Sequence, residues 1–409
     1  MANAFLTPSA FAAEGLSILE NELVLGNKAS VDYSDQFAMV GDTLNIRRQT
    51  QYLGQSNNVD LTGVREDITE GKMTIQMNKT LSLAVDLGAV DATLSFDRWS
   101  QEVVRPVMVK FKDAIDASLA TLYSQLYWFS GTPGTVPSTY AALGASSAIL
   151  TDAGVPTDSR FAVHSPTAAW TLADGLKSVF VQGKVQTALE QNTIGRYANF
   201  DNYECVNVPT HTVGVATGTP LVNGAAQNVT YATAKDTWTQ SLITDGWTNS
   251  TAGILKAGDV ITIAGVNSVN PVSKASTGRL QTFVVTADAA SGATTGPATL
   301  TISPPIITSG AYQTVSAVPA DNAAITVKTG TGGVSYQQSL LLHPNCFMLA
   351  TRPLKVDDGA GIKTSVKTGN RVSIRATEYT NGDTLKHTMR FDMLWGIACD
   401  PRLGLRLTN

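Results

Sequence analysis

Residues 104–129 read VRPVMVKFKDAIDASLATLYSQLYWF. The large apolar residues fall at Val104, Met108, Phe111, Ile115, Leu119, Leu122, Leu126 and Phe129, with gaps of 4, 3, 4, 4, 3, 4 and 3. Side chains three and four apart share one face of an α-helix, so this stripe predicts a long amphipathic helix beginning near Asp97. Pro106 has no N–H to donate and crowds the preceding turn, which predicts a break or bend there. The straight part, residues 106–129, is 24 residues, about 36 Å at the α-helical rise. That is long enough for a structural spine.

On its N-terminal side, residues 1–26 carry Thr7 as N-cap, Pro8 at the first helical position, and apolar Phe11, Leu16, Leu19 and Leu23, a short helix stopped by Gly26. No basic residue precedes Lys28, so a secretory n-region is missing. Residues 27–95 read as an extended β-ribbon. Its strands are 43–48 (TLNIRR) and 72–85, and the stretch 54–71 between them is too polar to fold on itself. A neighbouring surface is expected to support it.

Beyond the spine, a Gly/Pro loop at 131–137 leads to a second helix capped by Ser165 and Pro166, with Leu172, Leu176, Val179 and Phe180 on one face. A strand follows at 200–208. Composition then changes. Residues 210–335 hold 10 charged side chains in 126 residues against 52 in the other 283, together with 24 threonines. Short β-prone runs at 259–266 (DVITIAGV), 280–286 (LQTFVVT), 298–303 (ATLTIS) and 324–328 (AITVK) sit between Gly, Pro, Asn and Ser clusters. This predicts an all-β domain inserted into another domain. After it, 340–350 reads as a strand or short helix and 355–370 as a charged Gly-rich loop. Residues 371–378 and 388–398 alternate as strands around an Asn381-Gly382 turn signal. The fold class is α+β with an inserted β module.

The chain of 409 residues is 43% hydrophobic and has net charge -4, with 29 Lys+Arg against 33 Asp+Glu. It has ample material for buried cores and no basic bias of the kind that drives sequence-specific DNA binding. No run approaches a membrane span. Cys205, Cys346 and Cys399 are widely spaced and read as small buried hydrophobes in a reducing compartment.

No arrangement of groups spells out a reaction. His164, His211, His343 and His387 lie far apart, and His343 with Cys346 supplies two metal ligands where a structural zinc needs four. Ser165 follows His164 but stands where a helix N-cap belongs, outside any GxSxG elbow. Gly359-Ala360-Gly361 before Lys363 lacks phosphate-loop spacing. Asp357 and Asp358 read as solvated turn residues. The chain is read as a non-enzyme without cofactor or metal. Basic residues group at Arg47 and Arg48 on the ribbon, and at Lys363, Lys367, Arg371 and Arg375. They could meet nucleic acid or acidic partner loops, and a solvated polar face is the default.

The order of parts, with residues 195–203 (GRYANFDNY) leading to Val208-Pro209-Thr210-His211, 255–266 (LKAGDVITIAGV) and 341–354 (LLHPNCFMLATRPL), resembles the major capsid (coat) proteins of tailed bacteriophages. The resemblance is to the short-tailed Salmonella-phage-type family. Those proteins have the Johnson fold, first seen in the Hong Kong phage, with an inserted β-barrel I-domain. Asn199 stands where that family often has glycine, and asparagine also enters the left-handed region readily. Pro344-Asn345-Cys346 replaces a more charged version of the motif after the histidine.

The resemblance implies five parts: an N-terminal arm (1–26), an extended E-loop ribbon (27–95), the spine helix and first part of the capsid core (96–209), the inserted barrel (210–335), and the second part of the core (336–409). It implies hexamers and pentamers closing an icosahedral shell around double-stranded DNA. Scaffolding protein, portal and non-specifically contacted DNA are the implied partners, with assembly in the bacterial cytoplasm, maturation by expansion, and the virion capsid as final location. Arg47, Arg48, Pro106, Phe111, Leu122 and Asn199 are the assembly candidates. Arm and ribbon are expected to become ordered when sister copies surround them. Two other readings stand beside this one: a Thr- and Gly-rich decoration or receptor-binding protein, and an enzyme with a site between domains.

Overall fold

The computed structural model describes residues 8–34, 43–54, 66, 68–87, 100–175, 195–356, 359, 362–381 and 386–409. The chain divides into two compact units, one of Met1–Asn45, Thr74–Ala120 and Phe347–Ala398, the other of Ile46–Met73, Thr121–Cys346 and Cys399–Asn409.

The first unit is built on a sheet in the order β1 (Thr43–Arg47), β2 (Lys72–Leu87), β18 (Lys386–Cys399), β17 (Ser373–Asn381) and β16 (Ile362–Thr368), with β15 (Phe347–Thr351) also pairing β18. The two strands of the expected ribbon form and pair with each other as β1 and β2, and β2 also pairs with β18 from Leu87↔His387 to Gln76↔Ile397, so the ribbon is continuous with the chain's own sheet. The expected loop at 355–370 is corrected. Ile362, Thr364, Val366 and Thr368 alternate as β-branched residues, and their strand pairs with β17 from Ile362↔Tyr379 to Thr368↔Ser373. The pairing of β17 with β18 runs out to Asn381↔Lys386, so an Asn-Gly pair alone does not connect them. Gly382, Asp357 and Asp358 lie outside the described residues.

Helix α1 (Pro8–Glu22) buries Phe11, Ala12, Gly15 and Leu19 against the chain's own sheet and spine. Thr7, its expected cap, is outside the described residues. The segment leaving α1 is tied down as well. The Asp116 carboxylate accepts from Val24 N at 3.2 Å and Gly26 N at 3.0 Å, and Arg371 Nη1 donates to Gly26 O and Ala29 O. The arm root is thus held by hydrogen bonds within its own chain.

The spine is shorter than its stripe. A π-helical turn, Ser100–Val104, passes into α2 (Arg105–Ala120), and a 3₁₀ turn, Thr121–Gln125, ends it. Every residue of the stripe is buried, from Val104 to Phe129. Leu122 sits in the 3₁₀ turn, and Phe129 lies in β3 (Trp128–Ser130), which pairs in parallel with β19 (Gly404–Thr408). The three successive aromatics Tyr127, Trp128 and Phe129 suit a pleated strand better than a helix. Pro106 stands in the first turn of α2, where its missing N–H costs least.

In the second unit a sheet runs β3-β19-β14 (Ser335–Leu342)-β4 (Phe161–His164)-β6 (Phe200–Glu204)-β5 (Arg196–Tyr197), with β7 (Thr210–Thr212) on β14. Helices α3 (Tyr140–Asp152) and α4 (Pro166–Gly175) bury Leu143, Leu150 and Leu172 against Leu341, Leu405 and Leu407. The sequence reading missed α3 because small apolar residues surround it and leave no stripe. Ser165 does cap α4, accepting from Ala168 N at 3.3 Å. Leu176, Val179 and Phe180 lie outside the described residues.

The insert forms a second six-stranded sheet, β13 (Ile325–Val327)-β10 (Val260–Val269)-β11 (Ser276–Val285)-β12 (Ala298–Ser303)-β9 (Gln240–Trp247)-β8 (Gly218–Val222). A bridge between Leu221 and Ala324 brings the two edges together, so the sheet is a nearly closed barrel. Leu242, Ile261, Ile263, Phe283, Val285 and Leu300 fill its interior. Short helix α5 (Tyr231–Ala234) precedes β9.

His164 lies fully buried at the end of β4, with Nε2 3.0 Å from Asn202 Oδ1. The Asn202 amide nitrogen donates to Gly195 O and Phe200 O, so its oxygen is the acceptor and His164 Nε2 carries the proton. Burial lowers the His164 pKa from 6.5 to about 4, against the opposing effect of Asn202. Between these values the unfolded chain binds the proton and the folded one does not, so stability is full above pH 6.5 and is lost as pH falls toward 4. Urea unfolding at pH 7 and pH 5 is expected to differ by about 2 kcal/mol more in the wild type than in His164→Gln. Equal pH dependence in the two proteins would refute this role.

Candidate functional site

Two polar clusters in the second unit organise the features singled out in the sequence. The first lies where the chain passes into and out of the barrel. Strand β7 pairs with β14 through Thr210↔Gln337, His211↔Tyr336 and Thr212↔Ser335, so the two crossings run side by side. At their base is Asp259, fully buried. His211 Nε2 meets its Oδ1 at 2.8 Å, Thr329 Oγ1 donates to Oδ1 at 2.9 Å, and Gly214 N and Lys256 N donate to Oδ2 at 3.0 and 2.7 Å. Burial by itself would raise the Asp259 pKa. The hydrogen bonds from His211, Lys256 and Gly214 outweigh it and hold the carboxyl below its ordinary value.

Tyr123 Oη stands 3.0 Å from His211 Nδ1, on the far side of the ring. From β19, Arg406 Nη2 donates to Gly258 O at 2.8 Å, its guanidinium 5.5 Å from the Tyr123 ring centre. Burial lowers the Arg406 pKa to about 10, opposed by Tyr123 and Asp259. The arrangement superficially joins a tyrosine, a histidine and an aspartate. Tyr123, His211 and Asp259 are bonded to one another and to the backbone where barrel and sheet join, while Arg406 Nε and Nη1 are buried without a hydrogen-bond partner. Two stretches on which the family resemblance rests, 208–211 and 255–266, carry His211 and Asp259, whose contact sequence reasoning missed.

The second cluster holds the root of the β1–β2 ribbon. Arg48 N donates to Gly71 O at 2.8 Å, and its guanidinium, 9% exposed, lies 5.5 Å from the Trp238 ring centre. Arg402 lies 5.8 Å from the same ring and clamps Asp400, with Nη2 to Oδ2 at 2.8 Å and Nε to Oδ1 at 3.0 Å. Burial would raise the Asp400 pKa, and Arg402 with Arg48 overrides it and keeps the carboxyl ionised below its usual range. Tyr312 stacks on Tyr231 at 3.5 Å between ring centres, donates to Thr69 O at 3.0 Å and accepts from Gln51 N at 3.3 Å. Beside it opens a cleft of about 330 Å³ lined by Gln51, Tyr52, Trp238, Val272, Tyr312 and Arg402. The Asp400-Pro401 pair was a legible helix-cap signal, since Asp400 accepts from Arg402 N.

The assembly candidates are scattered. Arg47 is 81% exposed in its side chain and pairs with Glu70 at 3.2 Å, while its neighbour Arg48 is buried, which corrects the reading of the two as one solvated basic face. Phe111 and Leu122 are buried inside the subunit. Asn199 adopts φ +68° and Ala198 φ +50°, a two-residue hairpin turn between β5 and β6, as asparagine at this position promised. The other basic grouping dissolves: Arg371 holds the arm root, and Arg375 pairs with Asp392 at 2.8 Å. His343 and Cys346 form a tight turn, Cys346 N donating to His343 O. All three cysteines are buried thiols outside any disulfide. Among the described residues no group of three His, Cys, Asp or Glu could hold a metal ion, and no helix is long and apolar enough to cross a membrane.

A family model described as P22 coat protein, gene protein 5, matches residues 10–408. The major capsid protein of Acyrthosiphon pisum secondary endosymbiont phage 1 is 25% identical over 375 residues, covering 89% of this chain and 88% of that one. Among solved structures, the capsid of Ralstonia phage GP4 matches 93% of this chain and 86% of its own at 9% identity and TM-score 0.47. The CUS-3 coat protein I-domain matches 28% of this chain and 98% of its own at 32% identity and TM-score 0.20.

Gly71 provides the test of the ribbon root. A Cβ there would lie 2.4 Å from Lys235 O and 2.8 Å from Tyr231 Oη, and a backbone carbonyl cannot swing aside. Gly71→Ala is expected to destabilise the protein by about 1–3 kcal/mol through overpacking. Hydrogen exchange at Arg48 and Gln51 should accelerate; an unchanged urea midpoint and unchanged exchange would contradict the anchoring.

Proposed function

This chain belongs to the P22 coat protein family, and we propose that it closes an icosahedral shell of hexamers and pentamers around double-stranded DNA. It is a phage major capsid protein and a component of the virion, and its copies assemble with one another. The family match over residues 10–408 carries the reading, because it spans arm, ribbon, barrel and core together. The decoration or receptor-binding reading gives way to it, since that reading accounted for the β-rich middle third alone.

Quasi-equivalent neighbours must be met by patches that differ from side to side, so contacts are heterologous and each is modest. A ribbon rooted in its own subunit by Arg48 and Gly71 enters such contacts already aimed. A net charge of -4 suits an inner wall along which packed DNA contacts are non-specific. Scaffolding protein engages the region of α1, a portal occupies one vertex, assembly takes place in the host cytoplasm, and DNA filling expands the shell.

Electron microscopy of the expressed protein with its scaffold is expected to show closed shells, and without it open or aberrant polymers. Removing residues 1–25 should abolish scaffold-filled shells. Discrete small oligomers or trimeric spikes under both conditions would sink the shell reading.

Expansion is assigned to the π-helical turn and Pro106 at the start of α2, where a helix bends most cheaply. Pro106→Ala shells are expected to assemble and to expand more slowly on heating. Expansion indistinguishable from wild type would remove the hinge.

A further inference from the structure

Cys346 and Cys399 stand at the neck of an excursion. The chain leaves the second unit after Cys346, contributes Phe347–Ala398 to the first, and returns at Cys399. At that neck the two backbones run together. Asp400 N donates to Cys346 O at 2.8 Å, and Cys346 Sγ donates to Asp400 O at 3.3 Å. Both thiols are buried, 0% and 4% exposed. Burial raises the Cys346 pKa well above that of a free thiol, and the nearby Cys399 acts in the same direction. Burial thus keeps the Cys346 thiol protonated and inert while reductant is present.

We propose that Cys346 and Cys399 form a disulfide when the protein leaves reducing surroundings, closing covalently the neck of the segment Phe347–Ala398. The occasion rests on the shell reading, because a virion leaves the cell that assembled it. The bond itself depends on the subunit alone. The oxidant is a small-molecule disulfide. One cysteine loses its proton and attacks it, forming a mixed disulfide and releasing one thiolate. The second cysteine then displaces the remaining half, so two protons leave the protein, one S–S bond forms, and two electrons reduce the oxidant to two thiols. Closing a long loop restricts the unfolded chain strongly, so the oxidised protein resists unfolding more than the reduced one.

The test uses the full chain, purified under reductant and transferred to oxidised glutathione. Denatured thiol counts are expected to fall from three to one, and a non-reducing digest should yield one linked peptide pair containing Cys346 and Cys399, with Cys205 still alkylable. In Cys205→Ser the count should fall to zero, and in Cys399→Ser no internal link should form. The unfolded fraction at the reduced protein's urea midpoint should drop at least tenfold, on the order expected for a long-loop disulfide. Undiminished thiol counts after equilibration, glutathione adducts without the internal link, or a link through Cys205 would each overturn the proposal. The assay reads a bond inside one subunit, so its failure leaves the shell reading standing, and failure to form shells leaves the bond measurable.

Discussion

A buried carboxylate must find donors within the protein, and Asp259 meets that demand with four groups from three parts of the chain. His211 and Gly214 lie where the chain passes into the barrel, Thr329 where it leaves, and Lys256 on the approach to β10. Removing any one would leave a buried charge short of a partner, which costs more than the pair contributes when intact. The barrel therefore has one orientation relative to the sheet of its own unit. Arg406 adds a second constraint by reaching from β19 to Gly258 O.

The ribbon root repeats the principle with cations. Arg48 and Arg402 share the Trp238 ring, and Asp400 lies within their combined field. Aromatic faces accept guanidinium groups that burial would otherwise penalise. Since Tyr312 also bonds to Thr69 O, both strands leaving the root are tied to the barrel. A shell protein gains from such stiffness at the base of an extended element, because a contact made far out is strong only if little freedom is lost in making it.

Much of this was legible. The apolar stripe at 104–129 marked residues that are all buried, the low-charge stretch 210–335 contains the barrel strands from Gly218 to Val327, and Asn199 marked its turn. What was misread shares one cause. The stripe continued past Ala120 while the backbone changed from helix to 3₁₀ turn to strand, because periodicity reports burial and says little of where the N–H groups find partners. Strand β16 was hidden in a charged stretch, its alternation clear only beside β17. Arg47 and Arg48 look alike in sequence and differ in exposure because successive residues of an extended chain face opposite ways.

The amino-acid sequence by itself determined which apolar residues of the spine leave water, that a low-charge, β-prone stretch lies within the chain, and the family to which the chain belongs. Those properties are local or compositional, and short stretches carry them. Only the tertiary structure decided that His211 meets Asp259, that Arg48 lies over Trp238, and that Cys346 neighbours Cys399. These partners stand 48, 190 and 53 positions apart. Nothing in a linear chain records a contact between residues so distant, since it exists only once many weaker contacts have folded both ends into place.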